Sequence, residues 1–163
     1  DPRKLSGSTA ELLALASDAD GTPLLTVAVL AHHPQLLAPF LGWAAALALE
    51  GSLATRDHEL LALRTALRCE STFEWREHVT YATAAGLTAE EIARVRPGAD
   101  ADGWDAHDRA LLRAADELHD DHTIRADTWA ALAVDHGPDA LVEILYVVGQ
   151  YTMLSMVANA VEG

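Results

Sequence analysis

Glu59, Glu74 and His78 are the residue types from which acid/base catalysts are built, and they fall on adjacent helical segments. Glu74 and His78 are four residues apart in Glu74-Trp75-Arg76-Glu77-His78, so both project from one helix face. Glu59 lies one segment earlier and shares a stripe with Leu63, Ala66 and Leu67, a face that should turn inward. A carboxylate drawn out of water beside a histidine makes an acid/base pair with shifted pKa values. Blander readings stand beside this one. Ser71-Thr72-Phe73-Glu74 has capping-box spacing, in which Glu74 merely reaches back to its own helix start. His78 can be a core histidine with its hydrogen bonds met, and Glu59 an exposed partner of Arg56 or Arg64, which is worth little. The coincidence of all three argues for a site.

Four further residues are candidates for substrate contact. Arg64 can hold a carboxylate. Tyr81 follows His78 by three and can lend a phenol, although a half-buried structural tyrosine is the simpler reading. Gln150 and Tyr151 interrupt an apolar run, which suits a cavity wall for one of them. The run His119-Asp120-Asp121-His122 invites a metal, but its spacing lacks the partners of a zinc-binding helix and reads as a solvated helix end. No Gly-rich phosphate loop or nucleophile elbow is present, so neither a metal nor an organic cofactor is expected.

The elements that must position these groups read as helices at about 8–18, 23–31, 34–50, 56–69, 72–85, 89–95, 105–120, 125–135 and 138–160, from their periodicity. Thr26 to Leu30 has strand composition but no partner run, and is better placed at the opening of a helix. Pro34 suits a first helical position. Gly86 ends one helix, and Thr88-Ala89-Glu90-Glu91 has the spacing to cap the next. Arg96 to Gly103 is the main loop. A weak repeat relates Asp57, Leu60, Leu61 and Leu67 to Asp108, Leu111, Leu112 and Leu118, with Gly86 answering to Gly137. Glu59, Glu74 and His78 answer instead to Ala110, Arg125 and Trp129. The apolar framework recurs and the polar trio does not, so the trio is not needed to build the hairpin.

The 163 residues suit a single all-α domain, a compact helical bundle able to bury roughly 70% of its unfolded surface. Half the residues are hydrophobic, with few aromatics, a composition that favours closely packed helices. A net charge of −14 argues against nucleic acid and anionic membranes as partners. Cys69 stands alone, so a reducing, cytoplasmic setting is expected, and the N-terminus shows no basic-then-apolar signal pattern. The uncharged run from Ile144 to Val161 is short for a membrane span and lacks a basic flank. It is read as a buried or subunit-facing helix.

The stretch from Leu53 to Val95 resembles the carboxymuconolactone decarboxylase family, whose superfamily also contains alkyl hydroperoxidase D. The likeness rests on Leu-Ala-Thr-Arg-Asp-His-Glu-Leu-Leu-Ala-Leu-Arg, on Phe-Glu-Trp-Arg-Glu-His-Val and on Ala-Ala-Gly-Leu-Thr-Ala-Glu-Glu-Ile. Weaker flanks are Leu30-Ala31-His32-His33-Pro34 and Val148-Gly149-Gln150-Tyr151. The resemblance implies an alkyl hydroperoxidase D-like helical fold that assembles as trimers or hexamers. It also implies that Glu59 and His78 sit where the peroxidase branch has its upstream glutamate and its histidine. Ser71 and Glu74 then occupy that branch's two cysteine positions, so this chain departs from it at both sulfurs.

Thiol peroxidase chemistry needs a thiolate and a resolving partner, which points away from it. The expectation is a cofactor-independent acid/base enzyme, a decarboxylase or related lyase or isomerase, acting on a small organic acid or lactone. In it His78 moves the proton, Glu74 orients it, and Glu59 is a second acid/base. The rival expectation is a catalytically silent oligomeric protein in which the trio is a structural polar cluster.

Overall fold

A computed structural model describes residues 8–17 and 20–162. Among them the regular elements are all helical: α1 (Thr9–Ala14), α2 (Leu25–Leu30), α3 (Pro34–Leu49), α4 (Thr55–Arg68), α5 (Thr72–Ala84), α6 (Ala89–Arg94), α7 (Ala106–Asp121), α8 (Ala126–Leu132) and α9 (Pro138–Glu162). The fold is all-α, as the composition and periodicity predict. The first helix is shorter than its predicted span of 8–18, which runs on into position 18, outside the described residues. Beyond Ala14 the chain turns, and Ser17 forms an isolated antiparallel bridge with Pro23. The strand-like run Thr26 to Leu30 lies inside α2.

The chain divides into two compact units, Asp1–Gly51 and Ser52–Gly163. In the first, α1, α2 and α3 surround Leu12, Val27, Leu37 and Leu41, with Leu24, Leu30, Ala38 and Phe40 packed against them. Ser8 and Glu11 form a reciprocal capping box at the start of α1. Pro34 opens α3, where its missing N–H has no helical partner to lose.

In the second unit α4 packs against α5, α7 and α9. Every residue from Asp57 to Ala66 is buried, so α4 has no solvent face over that stretch. A helix enclosed in this way must satisfy its polar side chains inside the protein. Much of that is done by α7. Arg56 pairs with Asp108, Arg64 with Asp116 and Arg68 with Asp120, each 52 residues apart. A constant separation along both helices means that they run parallel. The predicted repeat of 51 thus corresponds to two helical hairpins, α4–α5 and α7–α8, laid side by side.

Caps fix where these helices start. The Ser71 hydroxyl accepts from Glu74 N–H, and Thr88 and Glu91 form the predicted capping box of α6. Glu143 of α9 reaches back to accept the N–H groups of Ser52 and Leu53, tying down the entry to α4. The loop between α6 and α7 is pinned by Arg64, which donates to the Val95 and Arg96 carbonyls, and by Trp104, whose indole donates to Gly98 O.

Candidate active site

Glu59 of α4 and Glu74 and His78 of α5 meet in the interior of the second unit, with relative exposures of 6, 3 and 6%. The contact that organises them is the one between helices. His78 Nδ1 lies 2.7 Å from Glu59 Oε2, a hydrogen bond in which the imidazole N–H donates to the carboxylate. The i,i+4 pair is looser: His78 Nε2 stands 3.7 Å from Glu74 Oε2, beyond hydrogen-bond range. Glu59, rather than Glu74, therefore holds the ring. Glu74 Oε1 is buried with no partner at all.

The capping-box alternative for Glu74 is answered by the same geometry. Ser71 Oγ does accept from Glu74 N–H at 3.3 Å. The reciprocal bond is missing because Ser71 N–H is already given to Ala66 O. The Glu74 carboxyl is left to face His78. Burial pushes it up to about 7, and the nearby His78 only partly opposes that. A neutral His78 that donates from Nδ1 presents a lone pair at Nε2. A proton held on Glu74 or on Nε2 keeps that lone pair from facing a bare carboxylate.

Two more groups close around the ring. Tyr151 of α9 lies edge-on to His78, with centroids 4.4 Å apart. Its phenol shares a 2.9 Å hydrogen bond with His58 Nε2. Burial, and then the charges of Glu59 and Glu74, raise the Tyr151 phenol well above its ordinary range, so it stays protonated. Burial likewise holds His58 below the ordinary imidazole value. His58 escaped the sequence reading. Its only signal was its place beside Glu59, because adjacent residues on an ordinary amphipathic helix point to different surroundings. On an enclosed helix both directions lead inward.

The remaining predicted contacts divide. Tyr81 is half-exposed, with its ring centroid 5.5 Å from that of His78, at the edge of the cluster. Gln150 is buried and its Oε1 has no partner. Arg64 is elsewhere. Its guanidinium makes two bonds to Asp116 and two to the Val95 and Arg96 carbonyls, so the fold occupies the donors proposed for a substrate carboxylate. Two surface clefts lie apart from the cluster, the larger lined by Arg64, Asp100, Arg113, Asp116 and Arg125 among others. The His119-to-His122 run is a helix end: Asp120 pairs with Arg68, Asp121 with Arg125, and His122 takes the left-handed cap position.

The two positions that the resemblance sets against the peroxidase cysteines carry groups with other duties. Ser71 is a buried cap, and Glu74 is the raised carboxyl. Cys69 ends α4 outside the motif, and burial raises its thiol, against weaker opposing contributions from Thr152, Ser155 and Arg68. That disfavours the thiolate on which peroxide chemistry depends.

No curated protein matches this chain. The family model for carboxymuconolactone decarboxylases matches residues 34–117, a span that holds Glu59, Glu74 and His78 but ends before Gln150 and Tyr151. Half of the chain, including the helix pair that carries the polar trio, thus conforms to that pattern, and the protein belongs to the carboxymuconolactone decarboxylase family.

Proposed function

We propose that this protein is an acid/base enzyme acting on a small organic acid or lactone, with His78 as the proton-transfer group. The reading is carried by one observation: a buried imidazole fixed at Nδ1 by Glu59, with Nε2 turned toward a carboxyl whose second oxygen has no partner. A structural cluster would be expected to satisfy that oxygen, since an unmet buried polar group costs about 1–3 kcal/mol. Glu59 is the orienting partner and stabilises the imidazolium when it forms. Glu74, titrating near neutrality, is the second acid/base. Tyr81, half-exposed at the edge of the cluster, is the proposed substrate contact.

In a decarboxylation the carbon–carbon bond to the leaving carbon dioxide breaks and its electron pair flows into the substrate's own carbonyl. The enolate carbon then takes its proton from His78 Nε2. The same proton inventory serves a lactone isomerisation, in which the ring nitrogen removes a proton from one carbon and returns it to another. Dithiol peroxide chemistry is disfavoured because Ser71 and Glu74 stand at both sulfur positions.

A screen of β-keto acids and unsaturated lactones supplies the assay. On the substrate so found, His78→Ala is expected to lose at least about 100-fold in kcat, the usual worth of a positioned acid/base. Glu59→Gln keeps the shape and loses the charge, and should lower kcat while leaving the fold unchanged. Full turnover by His78→Ala refutes the assignment.

A further inference from the structure

A second polar cluster lies at the start of α4, and it has the chemistry of a metal centre. Asp57 of the first turn of α4, His107 of the first turn of α7 and His136, after α8, bring their ligand atoms within 4.8 Å of one another. Asp57 Oδ2 is 3.0 Å from His107 Nε2 and 3.6 Å from His136 Nε2. An ion bonded at about 2.0–2.2 Å to each of three such atoms spaces them roughly 3–3.5 Å apart. The two rings lie nearly parallel, 4.9 Å between centroids.

His136 leaves a buried ring nitrogen without a hydrogen bond. His136 Nδ1 must donate to Leu132 O, at 3.0 Å, because a carbonyl can only accept. Its Nε2, on a side chain only 6% exposed, has no hydrogen-bond partner. It is aimed at a carboxylate oxygen. His107 repeats the pattern, with Nδ1 3.3 Å from Asp135 Oδ2 and Nε2 toward Asp57. His136 Nε2 thus faces Asp57 beyond hydrogen-bond range.

We infer that Asp57, His107 and His136 bind one first-row divalent cation of the zinc class. Two imidazoles and one carboxylate are a donor set for such ions, with water completing the coordination. Each histidine is held from behind at Nδ1, by Leu132 O or by Asp135, as metal-bound histidines are. The trio of Glu59, His78 and Glu74 cannot do the same, since its carboxylates face opposite nitrogens of one ring. The ion joins the start of α4 to the start of α7 and to the segment after α8, two residues from Glu59. The inference does not rest on the proposed reaction.

The test uses the full chain, stripped by dialysis against a chelator and titrated with Zn²⁺ by calorimetry and with Co²⁺ by visible absorption. One ion per chain is expected, and Co²⁺ should show the intense d–d bands of a low-coordinate site. His107→Gln and His136→Gln should each weaken binding by more than about 100-fold, and Asp135→Asn by about 10-fold through the second shell of hydrogen bonding. His122→Gln, at an exposed helix end, should bind as the wild type does, and so should His78→Ala. Circular dichroism checks that each variant is folded; if His136→Gln is not, His107→Gln and Asp135→Asn decide. No stoichiometric uptake, uptake indifferent to these substitutions, or loss of uptake in His78→Ala overturns the site.

Discussion

The two glutamates of the site are alike in type and burial and opposite in environment. Glu59 is hydrogen-bonded to an imidazole N–H, whereas Glu74 faces the ring's other nitrogen at 3.7 Å and keeps an oxygen unpaired. Burial pushes the Glu74 carboxyl up to about 7. A carboxyl whose folded pKa is raised binds its proton more tightly in the native state, so stability falls as pH rises from the unfolded value near 4.5 to about 7, and levels off above that. Glu74→Gln should remove this loss, making the variant more stable than the wild type by roughly 1–3 kcal/mol above pH 7 and little different below pH about 4.5. Urea denaturation at several pH values measures it. A wild-type stability independent of pH across that window contradicts the buried, unpaired carboxyl. The types and positions of Glu59, Glu74 and His78 were legible in the sequence. Their division of labour was not, because i,i+4 spacing fixes which helix face two residues share but not the rotamers that bring them into contact.

At the scale of elements, α4 is what makes a site possible. The stripe Glu59, Leu63, Ala66 predicts one inward face, yet α5, α7 and α9 enclose the helix so fully that Asp57, His58, Glu59, Arg64 and Thr65 are all buried. This is why Arg64 is structural. On a helix with one solvent face it would be available to substrate; on this one it is consumed by Asp116 and by the loop carbonyls. The loop is shaped to receive it. Gly98 has φ of +88°, and a Cβ there would sit 2.6 Å from Arg64 Nη2. Gly98→Ala combines a left-handed backbone with that clash, and should destabilise the protein by about 2 kcal/mol or more. The midpoint of chemical denaturation reads it out. An unchanged midpoint means that the loop does not depend on the Arg64 anchor.

For the molecule as a whole, α9 sets the terms of association. It is long and apolar enough to cross a membrane by length and composition, but half of it is buried, through Ile144, Val147, Val148, Tyr151 and Ala158. Its other side leaves Val142, Leu145, Tyr146, Met153 and Met156 substantially exposed, a stripe at helical spacing. Contiguous apolar surface of this kind marks an interaction site in a soluble chain. We propose that it is covered by further copies of the same chain, in the trimer or hexamer that the family resemblance implies. Sedimentation equilibrium at micromolar concentration is expected to show an oligomer, and Met156→Glu to shift it toward monomer by placing a charge in the interface. A monomeric wild type would refute this. Charge at −14 discourages anionic partners at long range and leaves close apolar contact between copies unaffected once screened by salt.

What the sequence determined by itself is whatever depends on near neighbours along the chain. Helix periods, the caps at Ser71 and Thr88, the stop at Gly86 and the pairing of Glu74 with His78 on one face all follow from rules that reach four residues or fewer. The repeat between positions 57–67 and 108–118 extended that to the plan of paired hairpins, because similar apolar stripes pack in similar ways. Tertiary structure decided everything that needs two helices at a known crossing. The bond from Glu59 to His78 spans 19 residues, that from His58 to Tyr151 spans 93, and Asp57 meets His107 across 50. Whether such groups touch depends on helix rotation and spacing to within about an ångström, since a hydrogen bond is lost over that distance. Those quantities are set by the fit of all the packed side chains together, and no local pattern carries them.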